Sequence, residues 1–518
     1  MNGWRLHAGI VIGACLLMSA ASTPVAQNAP SGMRYKRFVI RGAMLVDGLG
    51  TPARGPLDIV VEGDTVTEIV PVDAVSLGAY GRDFKRPTGD RVIEAAGMYV
   101  LPGFVEMHGH VPEGRVIPGT PQGRSYAYQL WLAHGVTTVR DAGSSAGLAT
   151  LADDMRRADA NQLVAPRVIP YAGWRGYRVP EGGGLWTPEK VRAQLEQAKA
   201  GGAVGIKVFG PTYADVLKMM GEQAKSLGMG IAIHVAIADA NAAVAARAGV
   251  TTIEHWYGIP DSAIPGVQSL PADYNYLDEL ARFRYAGQLW RKAEPARLEE
   301  VMKLLIDQGT ALVPTFVAYE PNRDIVRAQN LPWYGKYALP IMLEYWKPNP
   351  GHHGSYHYEW TTDDEVNWRQ NFRLWMDFVR EFWRRGGHLT VGSDPGGSFG
   401  LYGFTYVREL ELYREMGLDP IDIIQAATTS AARALGLQRR ALGVRPGGQA
   451  DLVVVDGNPL RDLKVLYGVG IQKLVTSGKL ERAGGIHYTI RDGIVYDSRA
   501  LLRNIERMVP QFQPQTSQ

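Results

Sequence analysis

The feature that most constrains this chain is a pair of histidines at the end of an apolar run, in the segment PGFVEMHGH at residues 102–110. Residues i and i+2 of a β-strand project from the same face, so His108 and His110 can both reach one metal ion. Two histidines at this spacing are also common as ordinary surface or core residues. The pair therefore predicts a metal site only if further ligands follow at comparable places.

Further ionisable side chains follow apolar runs downstream. The segments GIKVFG, IAIHV, TIEHW and TVGSD each supply one candidate ligand, and these are Lys207, His234, His255 and Asp394. A polar group buried directly after an apolar run is costly unless it has a partner. Shared metal ions would supply that partner for all six candidates.

The middle of the chain alternates strand-like and helix-like segments. Between Leu101 and about Leu437 there are eight apolar strand-like runs, which end near His108, Asp141, Ala172, Lys207, His234, His255, Thr315 and Asp394. This alternation indicates βα units and a parallel sheet, and eight units predict a TIM barrel of the α/β class. Reactive groups of such barrels lie at the carboxyl ends of the strands, where the six candidates fall.

The two ends of the chain carry short alternating strands broken by glycine and aspartate. We expect residues 28–100 and 440–518 to form one small β domain beside a barrel at residues 101–439, and 518 residues suffice for both. Within the barrel, an insertion at about residues 256–387 holds eight of the 12 tryptophans. We expect it to cover the barrel mouth.

Most aromatic residues of this insertion are expected in the core, because DDEVNWRQNFRLWMDFVREFWRRGG repeats them at helical spacing. The aromatic residues in its loops are the alternative group, and they could contact a bulky apolar ligand. They are Trp333, Tyr334, Trp346, Tyr356 and Tyr358.

The N-terminus is typical of a secretory signal peptide. Arg5 precedes an apolar run from Ala8 to Ala21, so we expect residues 1–27 to be removed and the protein to be periplasmic or secreted. The single cysteine, Cys15, lies in that run, which excludes disulfides and cysteine catalysis in the mature chain. Because the residues before Cys15 resemble a lipobox, a lipid anchor at this cysteine is the alternative.

The composition of the chain does not indicate a nucleic acid or a membrane as a partner. After the apolar N-terminal run, no segment has about 18 uninterrupted apolar residues, so no integral membrane segment is expected in the mature chain. The net charge of +3 is small, and the chain has no basic block that would indicate nucleic acid. We expect a small-molecule substrate, and homo-oligomerisation stays open.

As a set, the motifs resemble those of the amidohydrolase superfamily, in its imidazolonepropionase-like and prolidase-like branch with a bridging lysine. The resemblance covers nearly the whole mature chain. It is carried by PGFVEMHGH, AHGVTTVRDAG, GIKVFG, IEHW, GSDPGG, TSAARALGL and GVRPGGQADLVVVDGNPL. It implies a distorted (β/α)8 barrel with a β-sandwich made from both ends of the chain.

The resemblance also implies two divalent metal ions, with zinc as the default. His108, His110 and Asp394 would hold the more buried ion, and His234 and His255 the more exposed one. Lys207, N6-carboxylated by CO2, would bridge them. A water between the ions would be the nucleophile. Asp394 would take its proton and pass it to the leaving amine.

Three further residues receive roles on the substrate side or around the ligands. Tyr213 lies 21 residues before His234, at a position similar to that of a carbonyl-binding tyrosine in prolidase-like relatives, and packing at a helix start is its alternative role. Arg178 could pair with a substrate carboxylate. Glu106 replaces the usual aspartate of the family and is expected to orient a ligand histidine.

These observations predict an exported, binuclear metal-dependent hydrolase. We expect it to cleave an amide bond, of the peptide or N-acyl amino acid type, in a small apolar or aromatic substrate. A lactone, carbamate or organophosphate ester hydrolase is the alternative on the same site. An exported ligand-binding protein without turnover is the alternative from another class.

Overall fold

A computed structural model describes residues 32–81, 83–112, 123–175, 180, 183–236, 240–266, 278–349, 357, 359–397 and 399–511. The predicted signal peptide with Cys15 lies outside the described residues, and so do Arg178, Tyr356 and Tyr358. The roles expected of them stay predictions. Within the described ranges, no helix is long and apolar enough to span a bilayer.

Strands and helices are numbered in chain order. The strands are β1 (Met33–Arg34), β2 (Arg37–Leu45), β3 (Arg54–Glu62), β4 (Thr65–Pro71), β5 (Arg91–Glu94), β6 (Tyr99–Pro102), β7 (Phe104–Gly109), β8 (Val136–Gly143), β9 (Arg167–Arg175), β10 (Gly205–Pro211), β11 (Gly230–Ala236), β12 (Thr252–Glu254), β13 (Ala311–Val313), β14 (Leu452–Asp456), β15 (Ile471–Leu474), β16 (Leu480–Ala483), β17 (Gly485–Arg491) and β18 (Ile494–Asp497). The α-helices are α1 (Ala74–Tyr80), α2 (Gly123–Ala133), α3 (Leu148–Asp159), α4 (Pro188–Ala200), α5 (Ala214–Leu227), α6 (Ala242–Arg247), α7 (Glu279–Ala286), α8 (Leu289–Lys292), α9 (Pro295–Asp307), α10 (Phe316–Arg323), α11 (Ile325–Gln329), α12 (Tyr334–Tyr337), α13 (Pro340–Tyr345), α14 (Thr362–Arg384), α15 (Phe404–Met416), α16 (Pro420–Gln425), α17 (Ala431–Ala434) and α18 (Ser498–Met508).

The barrel consists of seven parallel strands and one extended segment. Strands β7 to β13 pair in sequential order, and helices connect successive strands. Residues 388–394, which we call the closing segment, occupy the eighth place. On one side, Thr390 N donates a hydrogen bond to Leu312 O of β13 (3.0 Å). On the other side, Asp394 N donates a hydrogen bond to His108 O of β7 (2.9 Å). These bonds confirm the predicted eight-unit α/β barrel.

The closing segment approaches β7 closely at Gly392. A Cβ atom built on this glycine would lie 2.8 Å from His108 Cβ and 2.9 Å from His108 N. Such separations are shorter than van der Waals contact, so only glycine allows this approach. The position of Asp394 relative to β7 therefore depends on a residue without a side chain.

Strands from both ends of the chain form one sheet, as predicted. They build a nine-stranded mixed sheet in the order β1-β18-β17-β14-β6-β2-β3-β4, with β5 beside β2. Its buried core includes Phe38 and Ile59 from the N-terminal part and Val454 and Ile490 from the C-terminal part. Strands β15 and β16 form a separate hairpin.

The aromatic insertion folds mainly as helices α7 to α14 around the short strand β13. Its longest helix, α14, begins with a capping box between Thr361 and Asp364. This helix buries the predicted stripe, which includes Trp368, Phe372, Trp375 and Phe382. The prediction that most of these aromatic residues lie in the core is confirmed.

Candidate metal centre

Two imidazoles and a carboxylate converge at the carboxyl end of the barrel. His108, His255 and Asp394 each place one potential ligand atom within 4.8 Å of the others. Nε2 of His108 lies 3.7 Å from Oδ1 of Asp394, and Nε2 of His255 lies 3.9 Å from Oδ2. Nitrogen and oxygen donors in this arrangement suit a divalent ion such as zinc.

The other three candidates from the sequence adjoin this group. Nε2 of His110 lies 3.1 Å from Oδ1 of Asp394. The ring of His234 is 4.9 Å from that of His255, and Nζ of Lys207 is 3.3 Å from Nε2 of His108. The fold therefore brings together six side chains that are separated by up to 286 positions in the sequence. Their individual roles as ligands stay predictions.

The donor atoms of the cluster fit a metal ion. Nε2 of His234 is buried and has no hydrogen-bond partner among the described residues. An unpaired nitrogen in the interior is unfavourable, and a metal ion would satisfy it. Burial lowers the pKa of His108 to about 4 and the pKa values of His234 and His255 well below 6.5, so all three are neutral at pH 7. Neutral imidazole is the form that binds metal.

Lys207 is buried inside the barrel on β10. Burial lowers the pKa of its ammonium group to about 8. A larger share of the side chain is then the free amine than for an exposed lysine at the same pH. The free amine is the form that can react with CO2, so the surroundings suit the predicted carboxylation.

Two site residues were missed by the sequence reasoning. Glu254 places Oε2 at 2.5 Å from Nδ1 of His108, and Arg140 contacts both oxygens of Glu254. Burial raises the pKa of Glu254, but Arg140 and Lys207 outweigh this effect and leave its pKa well below the ordinary range. Both lie in recognised motifs, IEHW and VRDAG. Only the barrel geometry reveals that they meet.

Glu106 contacts the backbone of the candidate ligand His108, and its expected role in orienting this histidine stays a prediction. One of its carboxylate oxygens accepts hydrogen bonds from His108 N (2.9 Å) and Ser393 N (2.8 Å). The residue thus ties β7 to the closing segment. The imidazole of His108 is held by Glu254.

Three residues around the centre have backbone conformations that are rare outside glycine. His255, Thr315 and Asp394 have φ values of 62°, 52° and 50°. Such conformations cost free energy and are concentrated at functional sites. They let each chain segment turn sharply at the end of its strand.

A tyrosine that the sequence did not single out lies beside the candidate ligands. Tyr213 lies at the N-terminus of α5, and the residue is 62% exposed. Tyr257 is buried, and its ring lies 4.7 Å from that of His234 and 6.4 Å from that of His255. Tyr257 is therefore a further candidate for contact with substrate, while the role of Tyr213 stays a prediction.

The aromatic insertion reaches the centre through Tyr319 of α10, whose ring lies 5.4 Å from that of His255. Two loop aromatics proposed as ligand contacts pack elsewhere. Trp333 stacks on Phe404 at 5.0 Å, and the hydroxyl of the buried Tyr334 donates to backbone carbonyls. These two residues stabilise the insertion.

Comparison with known proteins places this architecture in a family. The sequence model of the amidohydrolase family matches residues 99–330 and 370–495, well over half of the chain. The chain belongs to the amidohydrolase family. In this amidohydrolase, His108, His255 and Asp394 form a candidate metal site.

Individual relatives are distant. The amidohydrolase is 29% identical over 202 residues to an N-acyl-D-aspartate deacylase of Alcaligenes xylosoxydans xylosoxydans, a match that spans 33% of this chain and 36% of the relative. Among solved structures, bottromycin amidohydrolase superposes with a TM-score of 0.65 at 20% identity, covering 93% of each chain. A Xaa-Pro dipeptidase with bound methionine gives 0.59 at 21% identity, covering 89% of this chain and all of the other. At these identities the structures support the fold alone.

Proposed function

We propose that the protein hydrolyses the amide bond of a small N-acyl amino acid or dipeptide and uses two divalent metal ions to do so. The convergence of six side chains at the carboxyl end of the barrel carries this proposal. Lys207 in particular lies beside His108 in the interior, within reach of both groups of candidate ligands once it is carboxylated. Zinc is the expected ion because the donors are nitrogen and oxygen atoms.

The ligands divide into two groups around Lys207. One ion would be held by His108, His110 and Asp394. The other ion would be held by His234 and His255, and a carbamate on Lys207 would bind both ions. Bound ions of this kind lower the pKa of a shared water towards neutrality and polarise a carbonyl group. The carboxylate of Asp394 lies within 3.1 to 3.9 Å of histidine nitrogens in both groups, and it would accept the proton of such a water and donate it to the leaving amine.

The preference for an apolar or aromatic substrate is supported by the aromatic residues beside the histidines. Tyr257 and Tyr319 lie next to the ligands, and Phe283 of α7 lies 6.1 Å from Tyr319. Rings of this kind provide a large apolar surface with few polar groups. The amide specificity is supported by the names of two similar proteins, a deacylase and a dipeptidase.

A library screen tests the proposal. Metal-stripped mature protein is reloaded with Zn²⁺, Co²⁺ or Mn²⁺, its metal content is measured, and N-acyl amino acids, dipeptides, lactones, carbamates and aryl esters are supplied. The proposal requires about two ions per chain and faster hydrolysis of amides than of the other classes. Turnover confined to lactones, carbamates or esters would reject the amide assignment, and binding without any turnover would indicate a ligand-binding protein.

We also propose that residues 1–27 direct export. Cell fractionation and N-terminal sequencing of the isolated protein test this. A mature N-terminus between Ala21 and Gln27 in the exported fraction is expected. A Cys15→Ser variant serves as the control for lipid attachment, because a lipoprotein would lose its membrane association in this variant. An intact N-terminus on cytosolic protein would contradict the proposal.

A further inference from the structure

A chain of buried hydrogen bonds crosses the interior of the barrel beside His108. It joins Arg140 on β8 to Glu254 on β12, strands that are separated in the sheet by β9, β10 and β11. Both side chains are completely buried. A charged pair in the interior is expensive to desolvate and often adds little stability. Its presence directly beside a candidate metal ligand therefore calls for a reason other than stability.

The donor and acceptor of each hydrogen bond in this network follow from the chemistry of the side chains. Arg140 has only donors, and its Nη1 lies 2.7 Å from Thr252 Oγ1, so the hydroxyl of Thr252 accepts there. Thr252 then donates its own hydrogen to Oε1 of Glu254 at 2.5 Å. Nη2 of Arg140 lies 2.7 Å from each oxygen of Glu254. Oε2 of Glu254 retains one open direction, towards His108.

The remaining contact decides which nitrogen of His108 is protonated. Oε2 of Glu254 lies 2.5 Å from Nδ1 of His108. A carboxylate can only accept, so Nδ1 carries the hydrogen and Nε2 keeps its lone pair. Nε2 is the atom that faces Lys207 at 3.3 Å and Asp394 at 3.7 Å. The network therefore presents the donor atom to the centre of the cluster.

We propose that Arg140 and Glu254 are positioning residues, which fix the proton of His108 on Nδ1 and thereby present Nε2 to the metal ion. The inference rests on the proposed role of His108 as a ligand. Glu254 supplies the acceptor, and Arg140 with Thr252 keeps that acceptor facing His108. Partners of this kind orient metal-binding histidines in other proteins and tune their affinity.

A purely structural ion pair would be a different explanation, and the chain contains a matched control for it. Glu320 of α10 is also buried, and Arg408 of α15 binds both of its oxygens, at 3.0 and 2.6 Å. Among the residues with described contacts, neither of these two bonds a histidine. The variant E320Q therefore removes a buried charge without affecting a candidate ligand.

The variant E254Q tests the proposal. Arg140 and Thr252 will hold the amide oxygen of the new glutamine, so its NH2 group faces Nδ1 of His108 and displaces the proton to Nε2. Zn²⁺ affinity, measured by competition with a chelator, should fall about 10- to 100-fold, and the visible spectrum of the Co²⁺-loaded protein should change. E320Q should lower the melting temperature but leave both metal readouts unchanged.

The variants R140M/E254Q and R140M together separate orientation from simple loss of charge. Without the donors of Arg140, the amide can turn and accept from Nδ1, so part of the lost Zn²⁺ affinity should return. R140M alone makes the distinction. Removal of the Arg140 cation would by charge alone strengthen Zn²⁺ binding, whereas loss of the group that keeps Glu254 facing His108 should weaken it. If E254Q does not fold, R140M/E254L replaces the pair by apolar side chains, and the proposal then requires weaker Zn²⁺ binding by this folded variant.

Zn²⁺ affinity in E254Q or R140M/E254L equal to that of the unmodified protein would overturn the positioning role. The same affinity loss in E320Q would also overturn it, because the effect would then not be specific to His108. Absence of bound metal from the unmodified protein would instead reject the metal centre itself. The two failures are thus distinguishable.

Discussion

Nδ1 of His255 lies 2.6 Å from Oγ1 of Thr315, across the strand ends of β12 and β13. Each of the two residues follows its strand with a positive φ, so a pair of unusual backbone turns brings these side chains together. The hydroxyl holds the imidazole with Nε2 directed towards Asp394. Two neighbouring strands therefore share the task of orienting one candidate ligand.

We expect Thr315→Val to weaken metal binding. Valine keeps the shape of threonine but removes the hydroxyl, so the imidazole of His255 loses its partner, and Zn²⁺ affinity should fall by about 10-fold or more. Chelator competition measures the change. Thr310→Val is the control, because the buried hydroxyl of Thr310 bonds only the backbone carbonyl of Val250 among the described groups. Equal affinities in the two variants would contradict the role of Thr315.

Replacing Asp394 by asparagine should abolish most turnover while the fold is retained. Asparagine cannot accept the proton of the attacking water, so the turnover number should fall by about 100- to 10,000-fold. Steady-state kinetics on the best substrate of the screen, together with circular dichroism, test this. A variant with nearly normal rates would show that another group acts as the base.

The variant Lys207→Ala should lose activity that short-chain carboxylates partly restore. The variant lacks the predicted carbamate, and acetate or formate can occupy the space and offer two oxygens in its place. Rates and metal content are measured with increasing carboxylate concentration, and chloride at the same ionic strength is the control. Full activity without any added carboxylate would reject the bridging role.

Substitution of Gly392 by alanine should displace the closing segment. The added Cβ would meet His108 and lie 2.6 Å from a methyl group of Val313, so we expect a loss of about 1–3 kcal/mol in the free energy of unfolding and weaker metal binding. Gly397→Ala is the control, because no described atom lies within 4 Å of a Cβ atom there. Unchanged stability of Gly392→Ala would contradict the tight approach to β7.

Acid sensitivity of the fold should depend in part on His134, a buried histidine directly after α2. Its Nδ1 donates to Leu130 O at 2.8 Å, and burial lowers its pKa to about 4. The unfolded chain binds a proton near pH 6.5, so the stability from the neutral ring is complete above that pH and is lost as the pH falls towards 4.

In urea unfolding of metal-free protein, lowering the pH from 7.5 to 5 should therefore cost the unmodified chain about 2 kcal/mol more than His134→Gln. The other buried histidines change the free energy of unfolding equally in both proteins, so their effect cancels in this comparison. Parallel pH profiles for the two proteins would mean that His134 does not carry this dependence.

The spacing of apolar runs was sufficient to predict the barrel, the pairing of both chain ends in one sheet and the buried stripe of α14. These features follow from local periodicity, which any segment carries in itself. The roles of Glu254 and Arg140 could not be predicted from the sequence, because each is a charged residue near a strand end without a motif of its own. Their meeting depends on two strands that lie on opposite sides of the barrel.

The sequence by itself determined which kinds of side chain stand at the strand ends, and so the family, the fold and the set of candidate ligands. Only the tertiary structure decided how those side chains are oriented: which nitrogen of His108 contacts Glu254, that Glu106 binds the backbone of His108, and that Tyr257 lies against His234. The physical reason is that hydrogen-bond direction depends on atoms from distant strands, which no local pattern encodes.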